Sequence, residues 1–291
     1  HRCDSAQRST ADGGDRQEPV LAATVRRAHD DGVTAARTVV LVVFDDLQLL
    51  DLAGPLEVFD VAGHRLAEAT EGRSGSLGAS ERGGPTTGAA VQRGRAMAGP
   101  GVGDIDRHDR WAPTAGAYEV VVASPGGRPV RSSSRLTVEV DVALEALVAD
   151  ADRAIDTLVV VGGQGTRVAR RRPEVLDALR SLSGRARRTA AVCSGSLVLA
   201  SAGLLDGYRA TTHWASCDLL AEREAITVER DRIYVHDRDR WTSAGITAGI
   251  DLALALVEED HGPELAHAVA GWLVVFARRP GGQAQFSAQL R

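Results

Sequence analysis

The chain has 291 residues, a formal net charge of −5 and a pI near 5.9. That length holds one large α/β domain or two small ones with a substantial core, and the acidic balance argues against a nucleic-acid-binding surface spread over the whole chain. Lysine and asparagine are absent, a bias that codon usage in a GC-rich genome explains without invoking function.

Residues 1–36 mix Arg, Asp, Gln, Ser and Gly without periodicity, which predicts a disordered tail. The first element is the continuous apolar run over 38–44, the pattern of a strand buried on both faces. A helix is predicted to open at Asp51, with Pro55 near its first turn, where a missing N–H costs least. Between Gly63 and Gly116 the pattern dissolves into small and polar residues, which predicts a long disordered insertion. Strands follow over 118–123 and 136–140, separated by the turn Pro125-Gly126-Gly127, and Asp141 is positioned to cap a helix running to Val148. The run over 157–161 reads as another buried strand and ends in Gly162-Gly163-Gln164-Gly165. A helix starting at Pro173 leads to the strand over 189–192. Beyond it lie a helix over 194–202, a strand over 209–212, short strands over 226–229 and 232–236, and helices over 247–259 and 263–276. Strands alternating with helices predict a three-layer sandwich around a mostly parallel sheet.

The segment Ala190-Ala191-Val192-Cys193-Ser194-Gly195-Ser196 has the form of a nucleophile elbow, a tight strand-to-helix turn that lifts one side chain to the sheet edge. A thiol placed there can lose its proton near neutral pH, because the helix end and nearby donors stabilise the thiolate. A buried structural cysteine is the competing reading. His213 ends the next predicted strand, where it can exchange a proton with the thiol or simply cap the following helix. Asp51 follows the first strand at the same edge. Beside a thiolate its pKa would rise and it could donate to sulfur; alternatively it is a helix N-cap. The N–H groups of Gly162 and Gly163 can face an anion or an oxyanion, although the loop matches neither G-x-G-x-x-G nor a P-loop.

Cys217 lacks the elbow context and reads as core, and His261 and His267 are six apart, which does not suit a metal site. Three cysteines without repeated spacing fit a reduced, cytoplasmic setting. The longest apolar runs, such as 252–257, are too short to span a bilayer, and the first residues show no signal-peptide core.

Six elements in order carry a resemblance: the 51–59 segment, Gly162-Gly163, Val192-Cys193-Ser194-Gly195, Ala202-Gly203-Leu204-Leu205-Asp206-Gly207, Thr211-Thr212-His213-Trp214, and Thr242-Ser243-Ala244-Gly245 leading into Gly249-Ile250-Asp251. Together they resemble the ThiJ/PfpI family of the class I glutamine-amidotransferase-like superfamily, over about 37–290 apart from the insertion. That resemblance implies a flavodoxin-like fold. The run from Arg278 to Ser287 is similar to the N-terminal domains of GlxA-type regulators in the AraC family, where a linker and a helix-turn-helix domain follow. No helix-turn-helix pattern occurs in this chain, so by that likeness DNA contact is expected only through a domain absent from it. The implied function is a ligand- or redox-sensing domain that pairs with a second copy and binds a small molecule, with no cofactor and no metal.

The same motifs also resemble isocyanide hydratases, the alternative reading, alongside a glyoxalase-like enzyme. In that case Cys193 is implied as nucleophile, Asp51 as general acid/base and His213 as the histidine approaching the cysteine, with Gly163 and Ser194 supplying backbone donors. Protease-like members carry a histidine directly after the cysteine. Ser194 stands there instead, which speaks against peptidase activity.

Overall fold

In the computed structural model of the chain, the described residues are 36–76 and 118–286, with the side chains of 68–76 excepted. The expected N-terminal tail up to residue 35, Cys3, and positions 77–116 of the expected insertion lie outside them.

The centre of the molecule is β1 (Arg37–Val42), whose alternate residues enter two different cores. Val39, Leu41 and Val43 face one layer, while Val40, Val42 and Phe44 face the other, as a two-residue period dictates. Around it runs a seven-stranded sheet. On one side of β1 come β2 (Tyr118–Ser124) and then β5 (Val142–Ala143). On the other come β6 (Thr157–Val160), β7 (Arg188–Val192), β11 (Arg240–Ser243) and the edge strand β10 (Tyr234–Asp237). All neighbours are parallel except β10 with β11. One face carries α1 (Leu49–Ser76), α7 (Ala248–His261) and α8 (Pro263–Trp272). The opposite core is covered by α2 (Leu144–Ala149), α4 (Pro173–Ser183) and α5 (Gly195–Ser201), flanked by the short α3 (Thr166–Ala169) and α6 (Cys217–Ala221). The sandwich with a mostly parallel sheet is therefore the fold found.

Several local expectations change. Helix α1 begins at Leu49, so Pro55 lies inside it and withholds an N–H from the carbonyl of Asp51. Tight packing compensates there: a Cβ on Gly54 would lie 2.9 Å from Ile250 Cγ1, and Pro55 closes against Gly249 of α7. The same helix passes Gly63 and continues to Ser76, so the insertion expected from Gly63 starts later than its composition suggests.

The segment over 136–140 contributes only β4 (Thr137–Val138), which pairs with β3 (Val130–Arg131) in a separate hairpin. Asp141 does not cap α2; its Oδ2 accepts the Val122 N–H at 2.7 Å, and Ala143 occupies the cap position. The strand before His213 leaves the main sheet. It shortens to β8 (Arg209–Ala210), which pairs with β9 (Thr227–Val228), because β11 takes the place beside β7.

Charged groups collect at the strands' N-terminal edge. Arg188, 2 % exposed, bridges Glu259 and Asp260, and Tyr118 Oη donates to Asp260 at 2.8 Å. The opposite, C-terminal edge is where the candidate site lies.

Candidate functional site

Cys193 adopts φ 57°, the left-handed conformation that costs a non-glycine residue energy and persists only where its surroundings fix it. They do so on three sides. Its N–H donates to Ser243 O at 3.1 Å, and its carbonyl accepts Ser196 Oγ at 3.1 Å and Thr212 Oγ1 at 2.9 Å. The elbow expected from the sequence is present, and it is 7 % exposed.

Two glycines make room for it. Gly245 has φ +73°, and a Cβ there would sit 2.2 Å from Cys193 Cβ and 2.8 Å from Sγ. On the other side, a Cβ on Gly162 would lie 2.7 Å from both Cys193 Cβ and Asp51 Oδ2. Thiol and carboxyl thus converge over the bare backbone of Gly162.

Asp51, in the first turn of α1, is fully buried. Neither carboxyl oxygen meets hydrogen-bond geometry with any described protein group. Burial raises its pKa to about 7, against a smaller opposing effect of the nearby Cys193 thiol. The thiol is raised in turn, first by burial and then by the Asp51 charge, while the backbone N–H of Ser194 pulls the other way. The helix end was expected to favour a thiolate near neutral pH. Instead, desolvation and the Asp51 charge hold the thiol protonated, while the carboxyl exchanges its proton near neutral pH.

Ser194 and Gly163 are tied to one another. The Gly163 N–H donates to Ser194 Oγ at 3.0 Å, Ser194 Oγ donates to Gly163 O at 3.1 Å, and Thr166 Oγ1 donates to the same carbonyl at 2.7 Å. The Gly163 amide expected to hold an oxyanion is therefore engaged at rest, with φ +131°. Ser194 contributes its backbone N–H toward sulfur.

His213 is placed beside the elbow, but its ring works locally. Nδ1 accepts the Ala215 N–H at 3.3 Å, capping the 3₁₀ turn Trp214–Ser216, and burial lowers its pKa. The charges and hydrogen bonds that act on Cys193 come from Asp51 and Ser194. Of the sequence candidates, the structure brings together Cys193, Asp51, Gly162 and Ser194, with Gly163 behind Ser194. Thr212, the neighbour of His213, touches the elbow directly, through its hydroxyl on the Cys193 carbonyl.

Thr212, Ser243 and Gly245 were visible only as members of motifs, with no individual role. Ser243 is fully buried and its Oγ has no hydrogen-bond partner. Its one advance signal was the Thr-Ser-Ala-Gly run; the rest depends on β11 lying beside β7. Cys217 is buried and its thiol faces the carbonyls of Thr212, His213 and Arg230. Among the described residues no three metal-ligating side chains form a group, and no helix is long and apolar enough to cross a membrane.

Known proteins share this chain's sequence and fold. A profile described as the DJ-1/PfpI family matches residues 106–259. An isonitrile hydratase of Pseudomonas putida is 40 % identical, over 53 % of this chain and 68 % of that protein. The transcriptional regulator CdhR of Pseudomonas aeruginosa is 38 % identical over 57 % of this chain and 48 % of its own length, and GlxA of Rhizobium meliloti is 32 % identical over 53 % and 46 %. The chain thus spans about half the length of these regulators. A solved ThiJ/PfpI family protein from Pseudomonas syringae aligns with a TM-score of 0.62, covering 92 % of this chain and 84 % of that one at 23 % identity, a likeness of fold.

Proposed function

The chain belongs to the DJ-1/PfpI family, and we propose that it is the sensing domain of an AraC-type transcriptional regulator, binding a small ligand at Cys193. The observation that carries this reading is the resting state of the site. A thiol that is enclosed and packed against a buried, unpartnered carboxyl is a poor unaided nucleophile, and the unmet polar groups beside it suit an enclosed ligand. Its surroundings supply a carboxyl, a thiol, an unpartnered hydroxyl at Ser243 and, among the described residues, no cation acting on the thiol or the carboxyl. Such a site suits a slim, uncharged ligand; an anionic head would meet no countercharge. In this reading a second copy of the chain completes the working unit, and DNA is held by a separate helix-turn-helix domain.

One observation favours a second reading. Asp51, at about 7, is able to give and take a proton near neutral pH, as an isonitrile hydratase needs. There, sulfur would bond to the terminal carbon of the isonitrile while the thiol's hydrogen is delivered to that carbon by way of Asp51. Water would then add to the resulting thioimidate, releasing an N-substituted formamide and the free thiol.

The deciding experiment follows formamide release from cyclohexyl isocyanide by wild type and Cys193→Ala. The sensing reading predicts no difference between them. Formamide production that depends on Cys193 would overturn it in favour of the hydratase.

A further inference from the structure

After α8 the chain turns and passes α7 and the residues before edge strand β10 to reach Thr212, next to the elbow. Val274 makes the turn at φ 54°, an unusual conformation for a β-branched residue. Arg279 then clamps Asp251 of α7, its N–H to Oδ1 at 2.8 Å and its guanidinium to Oδ2 at 2.9 and 2.6 Å. Further on, the Gly281 and Gln283 carbonyls both accept the Ile233 N–H, at 3.1 and 3.0 Å. The Gln285 N–H donates to Asp231 Oδ1 at 2.8 Å.

The side chain of Gln285 completes the path. Its Nε2 donates to Thr212 O at 2.9 Å and to Arg230 O at 3.1 Å, so both amide hydrogens are used. The two nearer partners are backbone carbonyls, which fixes the orientation of the amide, and Thr211 Oγ1 is a third, longer contact at 3.5 Å. Thr212 is in turn the residue whose hydroxyl holds the Cys193 carbonyl. Two hydrogen bonds, joined through the covalent frame of Thr212, therefore link the strained cysteine backbone to the segment over 279–286.

We propose that Gln285 is a positioning residue for Cys193, acting through Thr212, and that occupancy of the thiol is thereby coupled to docking of the segment over 279–286. The proposal rests on Cys193 being the working centre of the domain. A group attached to Sγ must find space against Gly245 and Gly162, which line it closely. The elbow then shifts, the Cys193 carbonyl moves relative to Thr212, and the Gln285 contact loosens. By reciprocity, loosening the segment alters the thiol.

The test uses iodoacetamide as the probe, with Cys193 modification read by peptide mass spectrometry. Gln285→Glu keeps the shape and removes the donor; Gln285→Ala removes the side chain; Thr212→Val removes the hydroxyl. Each is expected to change the Cys193 alkylation rate about 5-fold or more, and the Thr212→Val/Gln285→Glu double variant is expected to add little to the larger single effect. In unmutated protein, alkylating Cys193 is expected to speed hydrogen exchange at the Ile233 and Gln285 amides. Unchanged rates in the Gln285 variants, additive effects in the double variant, or unchanged exchange would each overturn the coupling. Because the exchange measurement needs no substitution, a variant that fails to fold does not protect the proposal. Iodoacetamide reports on the thiol whatever the natural ligand, so failure here is separable from failure of the sensing reading, which the formamide assay decides.

Discussion

Asp51 holds a carboxyl group in a place where carboxylates are costly. Both oxygens are buried without a hydrogen bond, and the first consequence is a pKa raised from 3.8 to about 7. The folded state therefore keeps a proton that the unfolded chain has released, so Asp51 lowers stability as pH rises from about 4 through 7. Asp51→Asn removes this dependence. Its stability relative to wild type is expected to climb across that window, by up to about 4 kcal/mol, measured by urea unfolding at a series of pH values. A difference that stays flat with pH would show that the carboxyl is not perturbed. The sequence placed Asp51 at the right edge of the sheet and anticipated its raised pKa. It assigned the cause to a neighbouring thiolate, whereas burial is the larger influence, and burial depends on tertiary packing that brings Gly162 and Cys193 against the carboxyl.

At the scale of elements, the elbow is a junction of close approaches. Helix α5 starts so near β6 that a Cβ on Gly195 would lie 2.2 Å from the Val160 carbonyl oxygen, a backbone atom that cannot swing aside. Gly195→Ala is accordingly expected to cost about 3 kcal/mol or more, with Cys193 alkylation accelerated as the turn opens. A thermal melt within a degree of wild type would contradict this packing argument. Elements with apolar runs were legible in advance: β1 carries Val39 to Val42, β6 carries Leu158 to Val160, β7 ends in Ala190-Ala191-Val192, and Pro173 marks the start of α4. Strand β11 was passed over because Arg240-Trp241-Thr242-Ser243 has no apolar run and follows a charged turn. Its strand conformation comes from pairing with β7, a long-range contact. The same pairing displaces β8 from the main sheet and so decides where His213 falls. Thr212 meets the elbow while the imidazole turns to its cap.

Across the whole molecule the sheet separates two kinds of charge. The N-terminal edge holds an ion-pair network in which burial acts against the ionised form of Asp156, yet hydrogen bonds from Arg187 and Thr157 still hold that carboxyl at about 2. The C-terminal edge holds the isolated thiol and carboxyl. Asp156 contributes stability above about pH 4 that is lost as pH falls toward 2, while Asp51 subtracts stability as pH rises toward 7. One edge fastens the fold; the other holds the buried, unpartnered oxygens of Asp51 and Ser243. The most direct test of the account is a site-resolved titration of Cys193 in the native protein, following alkylation rate against pH by peptide mass spectrometry. The thiol is expected to be still protonated at pH 9, with its titration moving down in Asp51→Asn. A Cys193 that titrates at or below pH 7, as an activated nucleophile does, would contradict it.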